Sequence, residues 1–201
     1  MAFKLWSLKM NLSDRIEHYK VYTGFPVDIG IGESGRLFGI WEMGNDYRVK
    51  SGYYGGYPAG YLKRVRGLFP EFEPSETLHL FSGKVDQSIF PGMTVDINSE
   101  NEPDFIDDAQ SLKKVPLYKF KIVLADPPYS IEDCNHYQTT MIKRNVVMKS
   151  LGTGLKKGTF VVWLDQVLPM YRKDQFKKIG SIGMVKSTNH RFRVVTIFER
   201  I

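Results

Sequence analysis

From about residue 58 onward the chain alternates short apolar runs with turns that contain glycine, proline or charged residues. Such runs are typical of β-strands when they are about four to eight residues long and rich in Val, Ile, Leu and Phe. The run at 122–125 is apolar without a break, as expected for a strand that is covered on both faces. Strands are predicted at 76–83, 93–98, 103–109, 118–129, 156–165, 181–187 and 191–199.

Three segments between the runs space their apolar residues at helical intervals, and helices are predicted at 58–70, 139–155 and 171–180. Pro58 near the start and Gly67 near the end of the first segment stand where helices favour them. Strands that alternate with helices predict an α/β fold, a Rossmann-like doubly wound sheet of about seven mostly parallel strands with helices on both faces. A short turn separates the last two strands, which we expect to form an antiparallel C-terminal hairpin.

The first 52 residues have a different pattern, rich in glycine and aromatic residues. Alternating runs at 36–43 and 46–54 flank Gly44 and Asn45, a pair that favours turns. We predict that residues 1–52 are an N-terminal extension of hairpin or short strands without strong helices. This extension would pack on a main domain that spans 53–201.

Composition excludes several classes of protein. The chain has 201 residues, of which 42% are hydrophobic and 25% charged, values typical of a soluble globular protein. Its single cysteine, Cys134, excludes an internal disulfide framework and a cysteine-cluster zinc site. We therefore expect no metal site and, since one cysteine fits a reducing compartment, a cytoplasmic protein. No apolar run reaches the roughly 18 residues of a membrane span, and no secretory signal is evident.

Charge is divided unevenly along the chain. Residues 1–140 carry 15 Lys and Arg against 19 Asp and Glu, whereas residues 141–201 carry 13 against 3. A basic C-terminal part favours a polyanionic partner such as nucleic acid. The alternative is that lysines such as Lys149 and Lys156 only solvate the outside of a helix and a turn.

Candidate functional residues fall where predicted strands end, and ligands of open α/β sheets bind outside the carboxyl ends of strands. Phe81-Ser82-Gly83 follows the first of these strands, and a turn of small residues would let backbone N–H groups approach a ligand. Asp96 ends the second strand and could accept hydrogen bonds from both hydroxyls of a ribose. Asp107-Asp108 follows the third strand, where one carboxylate could bind an adenine amino group. Each acid alone is also a common helix cap.

The fourth strand end is Asp126-Pro127-Pro128-Tyr129. Two consecutive prolines make a stiff turn without backbone donors, so that its carbonyls remain acceptors. An amino group placed here would meet the Asp126 carboxylate and a carbonyl converging on its two hydrogens. Tyr129 offers an aromatic face on which a flat heterocycle can stack.

This stretch resembles the DPPY signature of the amino-group DNA methyltransferases, class I S-adenosylmethionine-dependent enzymes, and is most similar to that of the adenine-N6 enzymes. The resemblance runs from about residue 53 to the end. It implies that Asp126, Pro127, Pro128 and Tyr129 are catalytic and that S-adenosyl-L-methionine is the cofactor. It further implies cofactor binding by Tyr54, Gly55, Gly56, Tyr57, Phe81, Ser82, Gly83, Asp96, Ile97, Asp108, Ala109 and Asp126.

The sequence departs from the family pattern at three places. Gly56 runs directly into Tyr57, where family members usually carry an intervening lysine, and Val85 replaces the second glycine of the first-strand turn. His79 stands where an acidic residue is common. A non-catalytic cofactor-binding subunit of a methyltransferase complex is therefore one alternative function.

Substrate contacts are expected after the motif and in the last turn of the chain. Candidate residues are Ser130, Asn189, His190, Arg191 and Arg193, which could contact a base or phosphates. Asn189 and His190 could equally serve only as the hairpin turn. DNA is favoured over RNA as the partner, and no membrane is expected. RNA adenine-N6 or guanine-N2 methylation and cytosine-N4 methylation remain alternatives, and a homodimer or partner subunit could supply target recognition.

Overall fold

The computed structural model describes residues 10–44, 56–129, 134, 141–186 and 192–201. Within these ranges the α-helices are α1 (Leu12–Thr23), α2 (Tyr61–Leu68) and α3 (Arg144–Gly154). The strands are β1 (Ile29–Ile31), β2 (Leu37–Met43), β3 (Thr77–Leu80), β4 (Met93–Asp96), β5 (Phe105–Ile106), β6 (Ile122–Ala125), β7 (Phe160–Asp165), β8 (Phe176–Lys186) and β9 (Phe192–Arg200).

The described strands form one mixed sheet in the order β1-β2-β8-β9-β7-β6-β3-β4-β5. All neighbours from β7 to β5 in this order are parallel, whereas β9 runs antiparallel to both β7 and β8. The predicted C-terminal hairpin is therefore confirmed. All seven predicted strands are present, and β1 and β2 raise the described number to nine. These two strands extend the sheet beyond β8, to which β2 pairs in parallel.

Helices cover both faces of the sheet, as predicted. Alternate residues of the buried strands divide between two apolar clusters, so that Ile122 and Leu124 pack with α1 and α2. Val123 and Ala125 pack on the opposite face with α3. The connections between β3 and β6 consist of turns and short 3-10 segments and contain no α-helix.

The N-terminal segment was predicted without strong helices, and this is wrong because helix α1 is present. A hairpin is present, but β1 and β2 are joined by a turn at residues 32–36, in which Gly35 has a left-handed backbone (φ 69°). The run at 46–54 and Asn45 lie outside the described residues. Helix α1 was not predicted, although Asn11 and Asp14 form a reciprocal capping box at its start and Gly24 ends it in the left-handed conformation.

Arg15 explains why the periodicity of α1 is hard to recognise. This arginine lies on the inner face of the helix and is 1% exposed, so a charged residue interrupts the apolar stripe. Its guanidinium donates to the Leu68 carbonyl (2.8 Å) and to both oxygens of Glu71 (2.5 and 3.1 Å). It also lies over the ring of Phe69 at 4.6 Å. Tertiary contacts therefore satisfy a charge that a sequence pattern assigns to the surface.

The helix predicted at 171–180 is also wrong, because β8 begins within it at Phe176. Only a turn precedes the strand, closed by a bond from the Gln175 N–H to the Arg172 carbonyl (3.1 Å). The pairing of β8 with β9 shifts register between Lys178 and Gly180. Such a bulge breaks the two-residue alternation that identifies a strand, which is why the sequence pattern misled.

The point where the strand order reverses lies between β3 and β6. From β3 the chain proceeds outward through β4 to β5, and it then returns to β6 on the other side of β3. The segments that leave β3 and β6 thus diverge, and ligands of open α/β sheets bind at the carboxyl ends of the strands at such a point. The described topology thereby predicts a functional site at the carboxyl ends of β3 and β6.

Removing the Arg15 side chain should destabilise the protein strongly. In Arg15→Ala the Glu71 carboxylate loses its cation and the Leu68 carbonyl its donor, and we expect the free energy of unfolding to fall by about 3 kcal/mol. Urea denaturation followed by circular dichroism measures the change. Lys20→Ala, which alters an exposed residue of the same helix, should stay within about 0.5 kcal/mol of the parent. Equal effects of the two changes would contradict the buried role of Arg15.

His79 should make stability depend on pH. It is fully buried in β3, where burial lowers its pKa from 6.5 to about 4. The unfolded chain binds a proton that the folded protein excludes, so stability is full above pH 6.5 and declines as the pH falls toward 4. Between pH 7 and 5 this group should remove about 2 kcal/mol of unfolding free energy. Urea denaturation at both values, compared with His79→Gln, checks this, and parallel pH profiles for the two proteins would refute it.

Candidate active site at the carboxyl ends of the central strands

The turn after β3 has an unusual backbone. Phe81 adopts a left-handed conformation (φ 60°), which costs free energy for a residue with a bulky side chain, and Gly83 adopts it as well (φ 50°). The Phe81 ring packs edge-on against Trp163 of β7, with centroids 6.3 Å apart. Left-handed residues of this kind cluster at ligand sites, where the surrounding structure holds them.

The turn is bonded directly to β4. The Ser82 N–H donates to the Val95 carbonyl (3.1 Å), and the Gly83 N–H donates to Asp96 Oδ2 (2.8 Å). These two donors, which the sequence suggests for a ligand, are therefore used within the protein. The Ser82 hydroxyl, by contrast, is buried and has no hydrogen-bond partner within the described part of the chain. A polar group in that position favours a ligand or water as its partner.

Asp96 joins two strand ends. Besides accepting from Gly83, its carboxylate accepts from the Asn98 N–H through Oδ1 (2.8 Å), so each oxygen holds one backbone donor. A carboxylate oxygen has two lone pairs, and both oxygens of this half-buried group can accept one more donor. Ile97, the next residue, is 57% exposed and presents an apolar surface beside the carboxylate.

The acids after β5 differ in their environment. Asp107 is buried and accepts from the N–H groups of Asp108 (2.9 Å) and Lys114 (2.7 Å), so it shapes the turn. Asp108 is half-buried and accepts from the Gln110 N–H (2.9 Å). Ala109 belongs to the apolar cluster on the α3 side of the sheet. Of the two acids, Asp108 is thus the one that keeps an accessible carboxylate.

The motif after β6 is connected to the C-terminal strand. The Tyr129 hydroxyl donates to Asp126 Oδ1 and accepts from Arg193 of β9 (3.0 Å). The Arg193 guanidinium also lies over the Tyr129 ring, with Cζ 4.2 Å from the ring centroid. Asp126 and Tyr129 are half-buried, and Pro127 between them is buried. The structure thus brings together one predicted substrate residue and the predicted catalytic motif.

Two stacked tyrosines, Tyr57 and Tyr61, lie close enough to Asp126 for its negative charge to raise their pKa values. Their ring centroids are 5.2 Å apart. Burial is the main cause that raises the pKa of Tyr57 well above its usual value, and the Asp126 carboxylate raises it further. Burial also raises the pKa of Tyr61, with smaller contributions from Tyr57 and Asp126. Both phenols are therefore neutral at physiological pH.

The Tyr57 hydroxyl faces inward and makes contacts within the protein. It lies 3.2 Å from Nδ1 of His79 and 3.3 Å from the Leu124 carbonyl, to which it can donate. His79 Nε2 lies 2.9 Å from the Phe90 carbonyl, which selects the tautomer with the proton on Nε2. Tyr57, a predicted cofactor residue, thus uses its hydroxyl to attach the segment before α2 to β3 and β6.

An acid that the sequence analysis missed lies at the end of β7. Asp165 is fully buried and accepts from Arg144 of α3 through two bonds, from Nε (2.6 Å) and a terminal nitrogen (3.0 Å). It also accepts from the Trp163 indole (3.0 Å) and from the Gln166 N–H (2.7 Å). An aspartate directly after the apolar run FVVWL repeats the pattern that identified Asp126, and this signal could have found it. The bond from the Trp163 indole to Asp165 fixes the ring against which Phe81 packs.

Several predicted residues cannot be placed. Tyr54, Gly55, Ser130, Asn189, His190 and Arg191 lie outside the described residues. Gly56 is exposed at the edge of a described range. Among the residues that are described, no group of three or more His, Cys, Asp or Glu side chains is arranged to hold a metal ion.

Among the helices of the described residues, none is long and apolar enough to cross a membrane. A cleft of about 650 Å³ lies between residues 111–118 and α3, and it is lined by Lys113, Lys114 and Lys149. None of the strand-end residues Ser82, Asp96 or Asp126 lines it, so we place the candidate site at the strand ends and not in this cleft.

Comparison with known proteins extends the description of the fold. Neither a protein-family model nor a curated protein matches the sequence. The structure of TrmN from Thermus thermophilus superposes with a TM-score of 0.53 at 12% identity, over 70% of this chain and 48% of that one. SMU.1697c from Streptococcus mutans, solved in complex with SAH, gives a TM-score of 0.39 at 10% identity, over 64% of this chain and 88% of that one.

The chain spans about half the length of the TrmN structure. At this identity the likeness concerns the fold alone. Together with the strand order and the antiparallel β8–β9 hairpin, it shows that the chain shares the Rossmann-like α/β fold of TrmN.

Proposed function

We propose that this protein transfers a methyl group from S-adenosylmethionine to an exocyclic amino group of a nucleobase, adenine N6 in DNA. The observation that carries the proposal is the place of Asp126 at the end of β6, at the reversal of strand order. On the other side of that reversal, the turn after β3 is bonded to Asp96. Asp126, which would bind the amine, and Asp96, which would bind the ribose, thus lie at the carboxyl ends of strands in the same part of the sheet.

The residues at this edge fit a nucleoside-bearing cofactor. Asp96 would accept from the ribose hydroxyls, and the Ser82 hydroxyl, which has no partner in the described part of the chain, would bond to the same molecule. Ile97 offers an exposed apolar surface for the adenine ring, and Asp108 an acceptor for its amino group. When bound, S-adenosylmethionine supplies an activated methyl group, so the protein contributes position and charge stabilisation.

Asp126 and the Pro127 carbonyl would accept hydrogen bonds from the two N–H groups of the target amine. Both are acceptors, and they would draw electron density onto the nitrogen as positive charge develops there. Asp126 need not be a strong base, because the proton can leave after the methyl group has been transferred. The Tyr129 hydroxyl donates to Asp126 Oδ1 in this structure, and since each carboxylate oxygen has two lone pairs, Asp126 would accept from the amine beside this bond.

The polymer is proposed from charge and from the family resemblance. The strongly basic composition of residues 141–201 suits a phosphate backbone. An aspartate at the first position of the motif favours adenine, because cytosine-N4 enzymes more often carry serine there. A base in a duplex must leave its stack to reach Asp126, at a cost of a few kcal/mol that stacking on Tyr129 would offset.

Changing Asp126 should separate chemistry from cofactor binding. We expect Asp126→Ala to lower the rate of methyl transfer by at least about 100-fold, since one preorganised acceptor is lost. Its affinity for S-adenosylmethionine, measured by calorimetry, should stay within about threefold, because Asp96 and Ser82 are untouched. Asp174→Ala, which removes an exposed carboxylate, serves as the control and should keep parental activity. Parental transfer by Asp126→Ala would overturn the assignment.

Changing Asp96 should weaken the cofactor instead. In Asp96→Asn one acceptor oxygen becomes a donor, and we expect the dissociation constant for S-adenosylmethionine to rise by about tenfold to 100-fold. The exposed neighbour Glu100, changed to Gln, provides the matched control. Calorimetry on both variants, after thermal melts have confirmed folding, checks the expectation. Unchanged affinity in Asp96→Asn would remove Asp96 from the cofactor site.

The nature of the polymer can be read from the product. The protein is incubated with labelled S-adenosylmethionine and, separately, with DNA and RNA pools, and the nucleosides are then analysed by mass spectrometry. We expect N6-methyladenine in the DNA. A methylated nucleoside found only in the RNA would show that the substrate is RNA and would leave the proposed methyl transfer intact. If the protein binds S-adenosylmethionine but yields no methylated nucleoside, the alternative of a non-catalytic subunit is favoured.

A further inference from the structure

Arg193 contacts the proposed catalytic motif from a strand that lies 64 residues further along the chain. Residue 193 pairs with Met184 in the β8–β9 hairpin, so its backbone is fixed by the sheet. Its side chain is half-buried, and its Nε atom is buried without a hydrogen-bond partner in the described part of the chain. Because the Arg193 side chain is partly buried and its backbone is fixed, it is poorly suited to reach a phosphate in solvent.

The guanidinium contacts Tyr129 in two ways at once. It covers one face of the ring at 4.2 Å, within the range of a cation–π interaction, and it donates to the hydroxyl oxygen at 3.0 Å. The hydroxyl in turn donates to Asp126. Two contacts on one ring restrict both its tilt and its rotation about the Cβ–Cγ bond, whereas one contact would leave one of these motions free.

We propose that Arg193 is a positioning residue that holds Tyr129 as a preformed platform for the target base. The inference rests on the function proposed above. A base that stacks on Tyr129 takes the face turned away from Arg193, so that guanidinium, phenol ring and base form three layers. The hydrogen bond from Arg193 to the hydroxyl oxygen keeps the ring in place when the amine of the base bonds to Asp126.

This role differs from a phosphate contact in what it does to kinetics. A residue that binds phosphate contributes to the salt dependence of substrate binding, and its loss lowers the slope of log KM against log salt by about one. A residue that acts through Tyr129 leaves this slope unchanged. It instead lowers kcat/KM by an amount that depends on whether Tyr129 is present.

The experiment is a double-mutant cycle on methyl transfer with Arg193→Ala, Tyr129→Ala and the double variant. We expect Arg193→Ala alone to lower kcat/KM by about tenfold, as the loss of a desolvated cation–π contact implies. In the Tyr129→Ala background the same change should have an effect of less than about twofold. Arg193→Lys, which keeps the charge but not the planar group, should lie between Arg193→Ala and the parent.

Two controls accompany the cycle. Arg172→Ala removes an exposed arginine and should leave kcat/KM unchanged. Thermal melts confirm that each variant is folded. Equal effects of Arg193→Ala in both backgrounds, or a salt slope reduced by about one, would overturn the positioning role and make Arg193 a direct contact to the polymer.

A measurement without substrate tests the contact independently of the proposed function. The δ-methylene protons of an arginine that lies over a phenol ring are shifted upfield by the ring current, and Tyr129→Leu should abolish this shift in the NMR spectrum. Loss of the shift in a protein that shows no methyl transfer would leave the contact standing and the function refuted. An Arg193 shift that does not respond to Tyr129→Leu would refute the contact itself.

Discussion

The parallel pairing of β3 with β6 is the constraint on which the candidate site depends. Residues Thr77 to Leu80 lie beside Ile122 to Ala125 in register, and all eight are buried. A strand pair covered on both faces cannot slip by one residue without moving every side chain into the opposite cluster. The pairing therefore fixes the height at which Phe81 and Asp126 leave the sheet. From there one segment turns toward β4 and the other away from it, so the topology places their divergence at the carboxyl ends of these two strands.

Buried charges connect the rest of the molecule to this pair, and each described example has its own compensation. Arg15 attaches α1 to the segment after α2 through Glu71. Arg64 of α2 donates to the Tyr19 hydroxyl (2.5 Å) and to the Glu42 carbonyl (3.0 Å), and this joins both helices to β2. Asp165 and Arg144 fix α3 to the end of β7. Because an unpaired buried charge is costly, these contacts restrict how the helices sit on the sheet.

The candidate site combines one part held by main-chain hydrogen bonds with another held by side-chain contacts. Asp96 and the turn after β3 are held by hydrogen bonds to main-chain groups, so an approaching ribose would meet an acceptor already in position. Asp126 accepts a hydrogen bond from the Tyr129 hydroxyl, and its carboxylate has further lone pairs that would accept from the amine. The neighbouring tyrosines stay neutral, since burial raises their pKa values. Tyr57 and Tyr61 therefore place no second negative charge beside the Asp126 carboxylate.

The sequence predicted those features that depend on neighbouring residues. Apolar runs identified the strands β3 to β9, the helices α2 and α3, and the closing hairpin, because burial on one or both faces leaves a short-range pattern. The motif at Asp126 and the acid at Asp96 could be found for the same reason, since each directly follows such a run. Asp165 satisfied the same rule and was overlooked.

Only the tertiary structure decided what depends on distant partners. Helix α1 was missed because Arg15 is stabilised inside by Glu71 and Leu68, more than 50 positions away. The start of β8 was misassigned because a bulge against β9 removes the alternation of a strand. The N–H groups of Ser82 and Gly83 are bound to β4, and Arg193 lies over Tyr129, although no local pattern records either contact. The sequence determines the chemistry of each side chain, whereas the packing of the helices and strands determines which distant residue it contacts.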